Sequence, residues 1–318
     1  MYRKHFTYIV LLLAGCHLTF AQSRDTLIEI AANPKAGFNY PYFLFIPAGC
    51  QKESITYLLV ESNNTGVTND TLRVHENAAR IQAELGPLGN SLSRQLHIPY
   101  LVPVFPRPQK EWKVYTHMLD RDALLWKKEP MKRIDLQMVA MIKDAFVHLQ
   151  AKGFKLHDQV LMSGYSSSGV FANRFALLHP EIVKAYSAGG INGLLMMPYS
   201  QCNNAKLNYP VGTDDFQKIT GSYFDFDSFQ KIHQFLYMGE TDNNDVVQMD
   251  DGYSDKEREV IYKTFGEVML PDRWFACQLQ YKLATHNAQF RTYSGVGHEM
   301  NADIMRDLVK FYITAIKE

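Results

Sequence analysis

The stretch VLMSGYSSSG, residues 160–169, crowds four serines and two glycines against the end of an apolar run. A serine hydroxyl is a weak nucleophile until a neighbouring base takes its proton, and that base needs an acid to orient it. A nucleophile placed between a strand and a helix sits on a sharp turn, which presses together the residues two before and two after it. Both must be small. Ser166 meets the condition, with Gly164 before it and Ser168 after it. Ser163, Ser167 and Ser168 do not, because Leu161, Tyr165 and Val170 respectively stand at one of those places. Ser168 occupies the position where a glycine would leave the turn freest, so its Cβ adds some crowding. Taken alone, the same hydroxyls would serve equally well as caps at a helix start.

The partners are in the right order along the chain. FLYMGETDNND puts Asp242 just past an apolar run, and AQFRTYSGVGHEM puts His298 just past a later one, in a glycine-flanked loop. Asp242 has an ordinary reading as a turn residue beside Asn243, Asn244 and Asp245, and Asp245 is a second candidate for the acid. His298 has an ordinary reading as a loop histidine. His233 and His286 are weaker bases, since both fall in or beside expected helices. Three such residues at successive strand ends, in the order Ser, Asp, His, are less expected by chance than any one of them. The oxyanion of an acyl-transfer intermediate also needs donors. One is the backbone N–H of Ser167; the other belongs in SNNTG, residues 62–66, from Asn63 or Asn64.

These residues need a scaffold that brings strand ends together. Apolar or alternating runs predict strands at DTLIEI, YFLFIP, ITYLLVE (55–61), IPYLVPVFP (98–106), QVLMSG, VKAYSAGG, FLYMGE (235–240) and within AQFRTYSGVGH. Helical spacing appears in TNDTLRVHENAARIQAEL, in 133–153, in GVFANRFALLHP, in 254–268, in 273–286 and in ADIMRDLVKFYITAIK. Of these, 133–153 is the clearest, with Ile134, Met138, Met141, Ala145, Phe146 and Leu149 on one face and Gly153 after it. Strands alternating with helices predict an α/β chain with a mostly parallel sheet covered on both faces, and chemistry beyond the C-terminal strand ends. Residues 107–130 and 192–230 have weak periodicity and read as insertions near that rim. Tyr165, beside Ser166, and the aromatics Trp112 and Tyr199 in the insertions are candidate substrate contacts, suited to a sugar or phenolic ester; ordinary loop packing explains the insertion aromatics as well.

The bulk properties narrow the class. The chain has 318 residues, 46% apolar and 21% charged, which suits one sizeable globular domain. Lys plus Arg equals Asp plus Glu at 33 each, so no charge excess argues for a nucleic-acid partner. Residues 1–21 differ from the rest: MYRKH is a basic start, an apolar run follows, and Ala21 offers a small residue for cleavage. This pattern predicts a secretory leader and export, with 22–318 as the mature domain. LAGC at 13–16 also has the form of a lipidation site, which makes a lipid anchor at Cys16 the second reading. Loss of 1–21 removes Arg3 and Lys4 and no acid, leaving the remainder two units negative. Cys50, Cys202 and Cys277 then allow one disulfide at most, and no Cys–His spacing matches a zinc site.

At this point GYSSSG resembles the nucleophile elbow of the α/β-hydrolase superfamily, GETD its acid loop and GVGHEM its histidine loop. The resemblance covers most of residues 40–318 in element order and is nearest to exported esterase-like branches related to polyhydroxybutyrate depolymerases and feruloyl or acetyl-xylan esterases. It implies an eight-stranded sheet, a Ser166–His298–Asp242 triad, neither metal nor organic cofactor, and hydrolysis of a small-molecule or glycan ester. Ser168 and the absence of an HGGG run depart from the usual pattern. A serine peptidase of the same fold and a non-catalytic binding protein on the same scaffold are the alternatives.

Overall fold

The apolar runs of the sequence become the strands of one sheet. In the computed structural model, residues 24–318 are described; residues 1–21, the expected leader, with Cys16 among them, lie outside the described residues. Eight strands build the sheet: β1 (Thr26–Ile30), β2 (Tyr42–Ile46), β3 (Ile55–Val60), β4 (Tyr100–Pro103), β5 (Lys155–Tyr165), β6 (Val183–Gly189), β9 (His233–Gly239) and β10 (Ala288–Tyr293). A separate short hairpin pairs β7 (Gln201–Cys202) with β8 (Ala205–Lys206). The spatial order is β1-β2-β4-β3-β5-β6-β9-β10. β1 and β2 pair antiparallel, as do β2 and β4, and every pair from β4 to β10 is parallel.

Side chains alternate across the sheet as the pleat requires. Leu58 and Val60 of β3, Met162 of β5 and Leu236 and Met238 of β9 face one core. That core is closed by α4 (Ile134–Ala151), α5 (Ser167–Leu178), α8 (Asp255–Phe265) and α9 (Trp274–Ala284). Tyr57, Leu59, Leu161, Phe235 and Tyr237 face the other, closed by α1 (Leu72–Leu85), α2 (Gly89–Leu96) and α10 (Ala302–Lys317). Strands buried on both faces explain why β3, β5 and β9 read as continuous apolar runs.

Three parts of the sequence are more regular than their patterns predict. α2 has the sequence GNSLSRQL, poor in strong helix formers; it forms because Leu92 packs into the core and the Glu61 carboxylate accepts the Gly89 N–H at its start. Residues 107–130 contain α3 (Arg121–Leu125), capped by Asp120, whose Oδ1 accepts the Ala123 N–H. Residues 192–230 contain the hairpin and two short helices, α6 (Phe216–Thr220) and α7 (Phe226–Phe229). Cys50, Cys202 and Cys277 are free thiols, so no disulfide forms among the described residues. Cys50 instead donates to the His97 carbonyl.

Candidate active site

Ser166 stands between the last residue of β5 and the first of α5, with φ 59° and ψ −129°. A non-glycine residue pays for this region of backbone space, so the surroundings must hold it there. They do so in three ways. The Ser166 N–H donates to the Gly189 carbonyl at the end of β6 (2.8 Å), and its carbonyl accepts the Val170 N–H inside α5 (3.0 Å). Gly164 is pressed against the far side of the bend: a Cβ there would lie 2.1 Å from the Ser168 carbonyl oxygen. Ser168 fits the crowded position and straps it, since its Oγ accepts the Tyr165 N–H and donates to the Tyr165 carbonyl, both at 2.9 Å. Ser168 thus turns its departure from glycine into a brace.

The acid and base arrive from neighbouring strand ends. Asp242 follows β9 and His298 follows β10, and His298 Nδ1 lies 2.8 Å from Asp242 Oδ2. Asp242 is buried, and its other oxygen accepts the Asn244 N–H at 2.9 Å. A ring nitrogen facing a carboxylate carries the proton, so Nε2 keeps its lone pair. That lone pair meets Asn244 Nδ2 at 3.3 Å. Ser166 Oγ makes no hydrogen bond to His298 among the described residues. Tyr165, the residue before Ser166, and Gly190 are what border His298. The Tyr165 and His298 rings lie with centroids 4.9 Å apart. A Cβ on Gly190 would come within 2.9 Å of both rings, so only glycine leaves them this space. Tyr165 therefore lies beside His298. Asp245, the second candidate acid, is instead bound at both oxygens by the buried Arg273 at 2.7 Å each. His233 opens β9, where its Nδ1 lies 3.6 Å from Glu318; it takes no part in this cluster.

The expected oxyanion donors divide. Ser167 is the first residue of α5, so its backbone N–H lies at the positive end of the helix. Asn63 is buried and its side chain is engaged: Nδ2 donates to the Phe105 carbonyl at 2.9 Å and Oδ1 accepts the Phe105 N–H at 3.0 Å. Asn63 Nδ2 also lies 3.2 Å from His117 Nε2, and burial pushes the His117 imidazole down to about 3. The Asn64 N–H is taken by Gln82 Oε1 at 3.1 Å. The Asn63 side chain and the Asn64 N–H therefore brace the loop after β3, because a buried loop must satisfy its own polar groups. Sequence reasoning gave no role of its own to Tyr115, in residues 107–130; its hydroxyl lies 2.8 Å from Ser167 Oγ, and the Arg107 guanidinium lies over its ring (3.7 Å to the centroid). Asn244 was likewise missed as a partner of both Asp242 and His298. Its only signal was the asparagine run after GETD.

A cavity of about 410 Å³ opens beside Tyr165 and Ser168, lined from α1 and the loops around it. No residue of 107–130 or 192–230 is among those lining this cavity. Trp112 is exposed, with Lys113 over its ring. Tyr199 packs on the core, with Cys202 and Cys277 near it.

No protein-family model and no curated protein sequence matches the chain. Solved structures do. A poly(aspartic acid) hydrolase-1 from Sphingomonas sp. KT-1 superposes with a TM-score of 0.55 at 13% identity, over 91% of this chain and 98% of that one. A poly(3-hydroxybutyrate) depolymerase from Bordetella parapertussis gives 0.55 at 15% identity, over 91% and 90%. With its mostly parallel sheet and helices on both faces, the chain has the α/β-hydrolase fold. That is the fold the elbow, acid-loop and histidine-loop motifs imply.

Proposed function

We propose that this chain is an exported serine hydrolase that cleaves a carboxylic ester through an acyl-enzyme, with Ser166 as nucleophile, His298 as base and Asp242 as its orienting acid. One observation carries the reading: a serine held at positive φ at the end of β5, following Tyr165, whose ring packs against an imidazole bonded to a buried carboxylate. The similarity to two solved structures named as a hydrolase and a depolymerase agrees with it.

Ser166 Oγ attacks the ester carbonyl carbon while His298 Nε2, released by Asn244 as substrate enters, takes its proton. Asp242 steadies the imidazolium. The carbonyl oxygen becomes an oxyanion facing the Ser167 N–H. The bond to the alcohol then breaks and His298 returns the proton to the departing oxygen. Water repeats the sequence on the acyl-enzyme, giving the carboxylic acid and regenerating Ser166. Hydrogen bonds of this kind are often incomplete before substrate binds, which accommodates the unmade Ser166–His298 contact.

Hydrolysis of p-nitrophenyl acetate by the purified protein tests this. Ser166→Ala should lower kcat/KM by at least about 10⁴-fold, whereas Ser167→Ala should keep most of the activity, since its role is through the backbone. Undiminished turnover by Ser166→Ala overturns the assignment. For export, N-terminal sequencing of the secreted product distinguishes cleavage after Ala21 from a lipid anchor at Cys16.

A further inference from the structure

The outer face of α9 is apolar where folding has no use for it. Trp274, Cys277 and Tyr281 turn toward the core and are buried. Phe275, Leu279 and Leu283 are 69%, 53% and 74% exposed. They recur every fourth residue and so form one row along the helix. Val268, just before the helix, is exposed as well. Single exposed apolar residues are ordinary, but a row of three on one helix marks an interaction surface. The row is open to approach. α9 lies over β10, the last strand of the sheet: Trp274 Nε1 donates to Thr292 Oγ1 at 2.9 Å, and the Lys282 ammonium sits over the Phe290 ring.

The charges around the row identify what covers it. Glu267 and Asp272 lie at its N-terminal end and Lys282 and His286 at its C-terminal end, all exposed. None of the four forms a salt bridge among the described residues. A surface acidic at one end and basic at the other is complementary to itself turned end for end. A second copy laid antiparallel, with the two-fold axis at Leu279, sets Phe275 against Leu283 of that copy, and Asp272 against the turn that carries its Lys282 and His286. The two helix dipoles then oppose each other as well. We infer that this face of α9 is the interface of a homodimer, closed by a two-fold axis. A helix that lies on lipid carries cations along its polar border, and the acids at one end of this row do not suit that use. Eleven residues make a helix about 16 Å long. The contact is therefore smaller than the roughly 1,600 Å² of a standard complex, and its dissociation constant should be on the order of 10–100 µM.

Sedimentation velocity of the purified protein, from about 1 to 300 µM, should follow a monomer–dimer equilibrium. Leu279→Asp places two carboxylates together at the axis and should raise the dissociation constant at least about thirty-fold. Glu267→Lys with Asp272→Lys should raise it at least about five-fold, as should Lys282→Glu with His286→Glu. All four changes together restore the complementarity and should bring it back to within about three-fold of wild type. Leu279→Cys should give a disulfide-linked dimer on mild oxidation, because a residue on a two-fold axis meets itself; Phe275→Cys, off the axis, should give little. Native circular dichroism checks that each variant is folded. Protein that stays monomeric over the whole range overturns the interface, as does a dimer that survives Leu279→Asp. A monomer that floats with phosphatidylcholine vesicles gives the face to lipid and overturns it too. Failure of the fourfold variant to recover overturns the antiparallel arrangement.

Discussion

At the scale of single residues, the site is defined by which hydrogen bonds are made and which are left for substrate. Asn244 makes two: its N–H holds Asp242, and its side chain meets the nitrogen of His298 that must accept a proton. Alanine there keeps the backbone bond and removes the amide. A neutral hydrogen bond of this kind is worth about 0.5–1.5 kcal/mol. Asn244→Ala should therefore speed fluorophosphonate labelling of Ser166 by about two- to ten-fold. A rate ten-fold lower would mean that the amide positions the imidazole and does not compete for it.

Elements set the limits within which those residues can move. The loop from 242 to 246 is held by Arg273, fully buried just before α9, which binds both oxygens of Asp245 and the Asn192 carbonyl. Replacing it takes the only charged partner from a half-buried carboxylate, which keeps the Val247 N–H and the Gln248 amide; breaking a fully buried pair costs about 3–5 kcal/mol, which bounds the loss. Arg273→Met should show that loss in urea unfolding, together with a fall in kcat as Asp242 loses its support. Unchanged stability would mean that the pair contributes nothing to placing the loop. The junction of β6 with the segment after it is equally tight. Gly190→Ala puts a methyl against His298 and Tyr165 at a φ of 58°. It should lower kcat at least about ten-fold while circular dichroism stays native; full activity would exclude the packing role given to this glycine.

For the molecule as a whole, stability carries the imprint of a buried acid. Burial pushes the Glu61 carboxyl up to about 7, against the opposing pull of the Tyr100 hydroxyl and the Gly89 N–H. A carboxyl raised on folding contributes stability that is present below its unfolded value of 4.5 and is lost as pH rises through about 7. That loss amounts to about 3 kcal/mol at full ionisation. Glu61→Gln keeps an acceptor for Tyr100 and removes the titration. The stability of wild type relative to this variant should therefore decline by about 3 kcal/mol between pH 4 and pH 8, read from urea midpoints. A constant difference would place the Glu61 carboxyl in contact with water.

The sequence alone determined the layered α/β architecture, since apolar runs with period two or none and helical runs with period 3.6 are local signals. It also determined the serine that fits a sharp bend, because small neighbours at fixed spacing are a local steric condition. Tertiary structure decided everything that joins distant residues. It bonded Asp242 to His298 and gave Asp245 to Arg273, though both acids share one turn-rich run. It committed the Asn63 side chain and the Asn64 N–H to loop bracing, formed α2 on a carboxyl group from another element, and opened a cavity along α1. Hydrogen-bond partners and cavity walls are set by which surfaces meet when the sheet and its helices pack, and no periodicity along the chain encodes that meeting.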